Sequence, residues 1–234
     1  RLATGDYPEA IGFGQEALTI ARALDDRPIE VPATTFLGMT HLASGDFREA
    51  IALFERNVAL EGDLRYERFG APGIQWALSA ALLGDALSQR GRFDEAFEYA
   101  EAALRVADTA AQPFTLYNVL FSLGLARLRR GDLARATQAL ERSLEGCRTW
   151  QLVSEIQVAA TLGVAYALAG RVEEALVLTA GAVERGDRNR RTWWTGALLG
   201  AATSCLSAQR TVEAASYVRG ALRVARRTGA RAEG

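Results

Sequence analysis

The chain has 234 residues, 49% of them hydrophobic, and 27 basic against 28 acidic side chains give it a formal charge of −1. So even a balance provides no concentrated positive field, and neither nucleic acid nor an anionic membrane surface is an expected partner. Every basic residue is arginine, which removes Schiff-base lysines and the phosphate-loop lysine and points to a GC-rich bacterial genome.

No apolar run approaches the ~18 to 20 residues of a membrane-spanning helix, and a cytoplasmic, soluble protein is expected. The two cysteines, Cys147 and Cys205, have no short pairing motif between them, and free buried thiols are the expected state. No cofactor and no metal site is expected.

Arg1-Leu2-Ala3-Thr4 runs straight into Gly5, which reads as the stub of a helix and therefore as a piece of a longer protein. Gly5-Asp6-Tyr7-Pro8-Glu9-Ala10 is then the first of five related hexapeptides. The others begin at Gly45, Gly91, Gly131 and Gly170, and an eroded sixth begins at Gln209. A recurrence of about 40 residues is the mark of a solenoid.

In chain order the expected helices are 7–24, 31–44, 47–61, 73–90, 93–108, 113–130, 133–148, 152–169, 172–185, 192–208 and 212–228. They group into hairpins near 1–28, 29–70, 71–110, 111–149, 150–189 and 190–230, all in one domain. Each hexapeptide glycine is a left-handed stop between the two helices of a hairpin. Asp6 and Asp46 are expected N-caps, with Glu9 and Glu49 three residues on to complete a capping box. Tyr7, Phe47, Phe93, Leu133 and Val172 staple the corner. The small residues Ala10, Ala50, Ala96, Ala136 and Ala175 on one helix, and Gly38, Gly84, Gly124 and Gly163 on the other, allow close approach. Pro32, Pro72 and Pro113 are placed near the starts of first helices, where a missing amide is harmless.

Leu37-Gly38-x-x-His41 followed by Gly45, Ala50 and Phe54, and Leu162-Gly163-x-x-Tyr166 followed by Gly170 and Ala175, resemble tetratricopeptide repeats. The resemblance implies an all-α, right-handed α-solenoid of helical hairpins, with a period near 40 in place of 34. Four further stretches are Arg56 to Gly70, Arg129 to Ala136, Cys147-Arg148-x-Trp150 and Leu162 to Val172. Together they are similar to the C-terminal repeat region of bacterial proteins that join a class III adenylate or guanylate cyclase, an AAA-type ATPase and a tetratricopeptide array.

Catalysis is not expected. His41 is the one histidine and holds an aromatic packing position, while Asp25-Asp26 and Glu173-Glu174 read as caps or surface charges. The family resemblance instead implies a concave groove lined by first helices. Carried over residue by residue, its positions are Thr35, Met39 and Leu42, then Leu78, Asp85 and Gln89, then Asn118, Ser122, Leu125 and Arg129, and finally Gln157, Thr161 and Val164. The Lys/Asn/Arg clamp of carboxylate-gripping members is absent. Trp193-Trp194 reads either as an interface anchor or as a seal on the preceding hairpin. Arg219, Arg223 and Arg227, like Arg188, Arg190 and Arg191, read as solvated charge.

The expected function is a non-catalytic interaction or regulatory module of a multidomain bacterial signalling protein, engaging a protein or peptide partner or a sister domain of the same polypeptide. Two alternatives stay open: a small-molecule sensor of the kind found in large ATP-binding transcription activators, and a scaffold that self-associates, for instance as a homodimer.

Overall fold

The computed structural model describes residues 6–189 and 194–228, and every regular element among them is helical. Eleven α-helices follow one another: α1 (Tyr7–Ala23), α2 (Arg27–Ser44), α3 (Phe47–Val58), α4 (Gln75–Gln89), α5 (Phe93–Thr109), α6 (Pro113–Arg130), α7 (Leu133–Thr149), α8 (Glu155–Leu168), α9 (Val172–Asn189), α10 (Trp194–Ser207) and α11 (Thr211–Thr228). The all-α solenoid read from the sequence is therefore the observed architecture.

The corners explain the periodicity. Gly45 (φ 89°), Gly91 (75°), Gly131 (86°) and Gly170 (80°) all lie in the left-handed region, and Gln209 at the eroded copy takes the same conformation with φ 59°. At each corner two amides reach back to otherwise unanswered helix carbonyls. At Gly45 they run from Asp46 N to His41 O (2.9 Å) and from Gly45 N to Leu42 O (3.3 Å). This paired closure caps the C-terminus of the first helix.

The N-caps of the second helices are of two kinds. Asp6, Asp46 and Asp132 accept hydrogen bonds from the amides of Glu9 (3.4 Å), Glu49 (3.3 Å) and Arg135 (3.3 Å). The returning half of a capping box does not form at Asp46, because its own amide is already committed to His41. Where arginine replaces the aspartate, it forks onto the glutamate three residues on. Arg92 meets Glu95 at 2.6 and 2.7 Å, and Arg171 and Arg210 hold Glu174 and Glu213 in the same way. These pairs are exposed, so water and salt screen them and they add little to stability.

Within each hairpin the two helices meet at the small residues. A Cβ on Gly38 would fall 2.5 Å from the Phe54 ring, on Gly84 2.7 Å from the Ala96 carbonyl oxygen, on Gly124 2.7 Å from Leu140, and on Gly163 against Thr179. Ala50, Ala96, Ala136 and Ala175 are fully buried across the same seams. Leu83, Leu87, Leu120, Leu123, Leu140 and Leu162 are each 2% exposed or less, and the core runs along the array as successive clusters.

Four boundaries depart from the sequence reading by three residues or more, and one of them is the end of α9, at Asn189 instead of 185. Helix α2 starts at Arg27, with Asp26 as N-cap and Pro28 in the first turn, so Pro32 sits inside the helix. Helix α8 starts at Glu155, after Gln151 turns the chain with φ 50°. Helix α3 stops at Val58, and a 3-10 turn over Gly62–Tyr66 opens the longest connection between described helices. That connection is fastened at both ends. Arg65 stacks over Trp76 at 4.0 Å, Trp76 donates to the Val58 carbonyl (2.9 Å), and the Ile74 amide donates to Thr115 Oγ1 (2.9 Å).

First helices pack closely on one another at two boundaries, α4 with α6 and α8 with α10, and only slightly between α2 and α4 and between α6 and α8, whereas among the described residues no two second helices pack to the extent of the first two pairs. The first helices therefore share one side of the stack.

Candidate functional site

The candidate inner face is assembled from first-helix positions. Met39, Leu78, Asp85, Asn118, Leu125, Arg129, Gln157, Thr161 and Val164 are all half-buried there, and Gln89 is exposed. Two of them meet across a repeat boundary: Arg129 of α6 forms an ion pair with Asp85 of α4 and also donates to Ser88 Oγ at 2.8 Å. Their side chains are only 22% and 12% exposed, so the two charges of the face largely cancel within it. Asn118 Nδ2 donates to the Phe114 carbonyl (2.6 Å) and Thr161 Oγ1 to the Gln157 carbonyl (3.0 Å), which ties both side chains to their own helices.

Two of the groove positions, Thr35 and Ser122, are buried. Thr35 is 3% exposed and belongs to a polar knot between α2, α3 and α4. In that knot Asn57 Nδ2 donates to the Val31 carbonyl (3.0 Å), Thr35 Oγ1 (2.9 Å) and Ser79 Oγ (3.1 Å). Ser122 is 5% exposed, and Leu42, like Met39, packs against the cluster that holds Leu83 and Leu87. Conversely, Phe36 and Leu168 are 52% and 55% exposed, and sequence reasoning passed over both. Phe36 stands nine residues before its corner glycine, as Ser122 and Thr161 do, and Leu168 stands two before, as Gln89 and Arg129 do.

His41 is buried at the first complete corner, with Nδ1 3.3 Å from Asp46 Oδ2, and lies in a structural position. At the matching place in α8, Tyr166 donates to Glu141 Oε1 (2.8 Å) beneath the Arg171 guanidinium, which lies 3.8 Å from the ring centre. Burial, and then the hydrogen bond to a carboxylate, push the Tyr166 phenol up to about 12. Asp26 caps α2 by accepting from the Ile29 amide (3.1 Å), and Glu174 is held by Arg171, so both acidic pairs contain a structural carboxylate. Cys147 and Cys205 are free and buried, and burial pushes both thiols up.

Trp194 packs beside Gly186 of α9 and against the adjoining core cluster, where it seals the preceding hairpin. Arg219 and Arg223 are exposed on α11. Trp193, Arg190 and Arg191, and the side chains of Arg188 and Arg227, lie outside the described residues.

Two open concavities mark the surface. One of about 500 Å³ lies between Pro28 and the Leu64–Gly70 connection, and one of about 400 Å³ lies at the α5, α6 and α7 corner around Phe97, Arg127 and Arg135. Neither includes an inner-face residue named above. Among the described residues no helix is long and apolar enough to cross a membrane, and no three His, Cys, Asp or Glu side chains gather as a metal site.

The architecture has clear counterparts. The chain resembles BtubC (BKLC) from P. vanneervenii, with a TM-score of 0.63 and 19% identity over 97% of this chain and 94% of that one. It resembles a Rap protein complexed with competence and sporulation factor, with a TM-score of 0.69 and 10% identity over 96% and 71%. Identities this low speak for the fold alone. Human tetratricopeptide repeat protein 29 is 22% identical over 140 residues, 60% of this chain, and the match spans 28% of that protein. The tetratricopeptide repeat family profile matches residues 1–60 and 75–149, more than half of the sequence, and the chain belongs to that family.

Proposed function

We propose that this array is a non-catalytic docking module that binds a peptide or a sister domain along its inner face, within a multidomain bacterial signalling protein. The observation that carries the reading is the character of that face. Its charges, Asp85 and Arg129, answer each other, while Phe36, Met39, Leu78, Leu125, Val164 and Leu168 offer apolar surface between them. A self-neutralised, apolar surface suits an uncharged segment or an amphipathic helix better than an acidic tail, because strongly charged partners find no complementary field. A likeness between the sequence and cyclase–ATPase–repeat proteins supports the signalling context. There, differential affinity of the partner for two curvatures of the stack would bias the attached catalytic domain.

A small-molecule sensor would need an enclosed pocket with converging polar groups. Both concavities are open and lie apart from the inner face, which favours the extended partner.

The test places a photo-crosslinking amino acid in cells at Gln89 or Asn118 on the inner face and at Glu98 on α5. Crosslinks that form from the first two sites only, and disappear with Val164→Glu, support the reading. Equal crosslinking from Glu98 overturns it. The regulatory half fails if deleting the array leaves the output of the attached domain unchanged across stimuli.

A further inference from the structure

We infer that the corner formed by α5, α6 and α7 docks an acidic segment of another protein through Arg127, Arg130 and Arg135. These three line the concavity of about 400 Å³ there, together with Phe97, Glu101 and Asp132. Arg127 departs from the repeat. It stands four residues before its corner glycine, where the other copies place His41, Leu87, Tyr166 and Cys205, each 9% exposed or less. The carboxylate facing it, Glu101, lies 3.8 Å away. At the next corner the equivalent glutamate is Glu141, ten residues after its glycine as Glu101 is, and there Tyr166 (2.8 Å) and Arg171 (3.2 Å) both bind it. That corner is closed, whereas this one is not.

Arg130 and Arg135 are held as loosely. Arg130 is 3.5 Å from Asp94 and 5.3 Å from the centre of the Phe97 ring, and Arg135 is 3.6 Å from Asp132. Among the described residues none of the three guanidinium groups makes a hydrogen bond, whereas Arg92, Arg171 and Arg210 fork onto their glutamates at 2.6 to 2.8 Å at other corners. Asp132 is committed to capping α7, but the Glu101 and Asp94 side chains are 53% and 93% exposed and free to turn into water. An incoming carboxylate therefore exchanges loose contacts for charge-assisted, two-pronged hydrogen bonds, the geometry that guanidinium favours. The open shape gives a small anion no enclosure, and the interleaved carboxylates break up the continuous positive field that a polyphosphate needs. Carboxylates spaced along an extended segment meet the arginines one by one. The contact uses no inner-face residue and stands apart from the function proposed above.

Fluorescence anisotropy of the full chain with a labelled hexaglutamate peptide, and with hexaglutamine as its neutral counterpart, tests the inference. Only hexaglutamate is expected to bind, and more weakly as salt rises. Arg127→Leu, a side chain the repeat already carries at Leu87, and the exposed pair Arg130→Gln/Arg135→Gln are each expected to weaken binding about tenfold or more with unchanged helical circular dichroism. Glu101→Gln is expected to tighten it severalfold by removing the internal competitor. Glu145→Gln near the far end of α7 and Val164→Glu on the inner face are expected to leave it unchanged, which separates this contact from the inner-face one. Absence of hexaglutamate binding at low salt, equal binding of hexaglutamine, indifference to the arginine variants, or equal tightening by Glu101→Gln and Glu145→Gln would each overturn the inference. Displacement by inorganic phosphate at an ionic strength where chloride does not displace would also overturn it, by giving the corner to a free anion.

Discussion

Gly38 of α2 and the Phe54 ring of α3 compete for one volume: a Cβ on the glycine would lie 2.5 Å from Phe54 Cε1, and the ring is fully buried and has nowhere to swing. Gly38→Ala gains about 1 kcal/mol of helix propensity but overpacks the seam at about 1–3 kcal/mol or more. A net loss of stability is expected in urea unfolding. Phe54→Leu in the same chain should return part of it. A neutral or stabilising Gly38→Ala would mean that α2 and α3 do not approach so closely.

Gln209 holds the left-handed corner that glycine holds elsewhere, with φ 59°. A side chain there costs about 1 kcal/mol or more relative to glycine. Gln209→Gly is expected to raise the thermal midpoint, and a lowered midpoint would show that this corner is not left-handed.

Asn57 is 3% exposed and serves the Val31 carbonyl, Thr35 and Ser79 together. Asn57→Ala removes the amide that joins them and leaves Thr35 Oγ1 to bond the Val31 carbonyl (3.3 Å) and Ser79 Oγ (3.1 Å) alone in a dry site, at about 1–3 kcal/mol. Chemical denaturation reads the loss, and Thr35→Val in the same background should add less than it costs alone.

Tyr166 ionises near 12 in the folded chain, against about 10 in an unfolded one. The folded state holds this proton more tightly, so the contribution of Tyr166 to stability is intact below about pH 10 and falls as pH rises towards about 12. Urea midpoints measured between pH 8 and about 11.5 should decline less steeply for Tyr166→Phe than for the unaltered chain. Parallel slopes would place the phenol in water.

Leu162 is 2% exposed within the cluster formed by α6 to α10. Leu162→Ala should cost about 2–5 kcal/mol, and a loss below about 0.5 kcal/mol would contradict the register of α8.

The corners were legible in the sequence because only glycine takes a left-handed stop freely, and the hexapeptides repeat that constraint. The arginine forks at Arg92, Arg171 and Arg210 were not, since they replace a cap by an ion pair that no capping motif describes. Pro32 misled because a proline near a helix start resembles a first-turn residue. The operative signal was Asp26 followed by Pro28.

Asp85 and Arg129 meet across a repeat boundary, whereas Thr35 is buried and the adjacent Phe36 is 52% exposed. A slip of one residue turns a side chain by about 100° around a helix, enough to move Thr35 into the seam and leave Phe36 on the open side.

Each seam glycine is cut to a different opposite number: Gly38 to Phe54, Gly84 to the backbone at Ala96, Gly124 to Leu140 and Gly163 to Thr179. Lock and key therefore travel inside the same hairpin. A duplication whose breakpoints fall in the connections between hairpins copies both halves intact, whereas a crossover at a glycine corner would pair a notch with the wrong tooth. The hairpin is thus the unit that can be gained, lost or exchanged in the history of this chain, and grafted arrays cut at those connections should accept its modules in any order that keeps the inter-hairpin contacts.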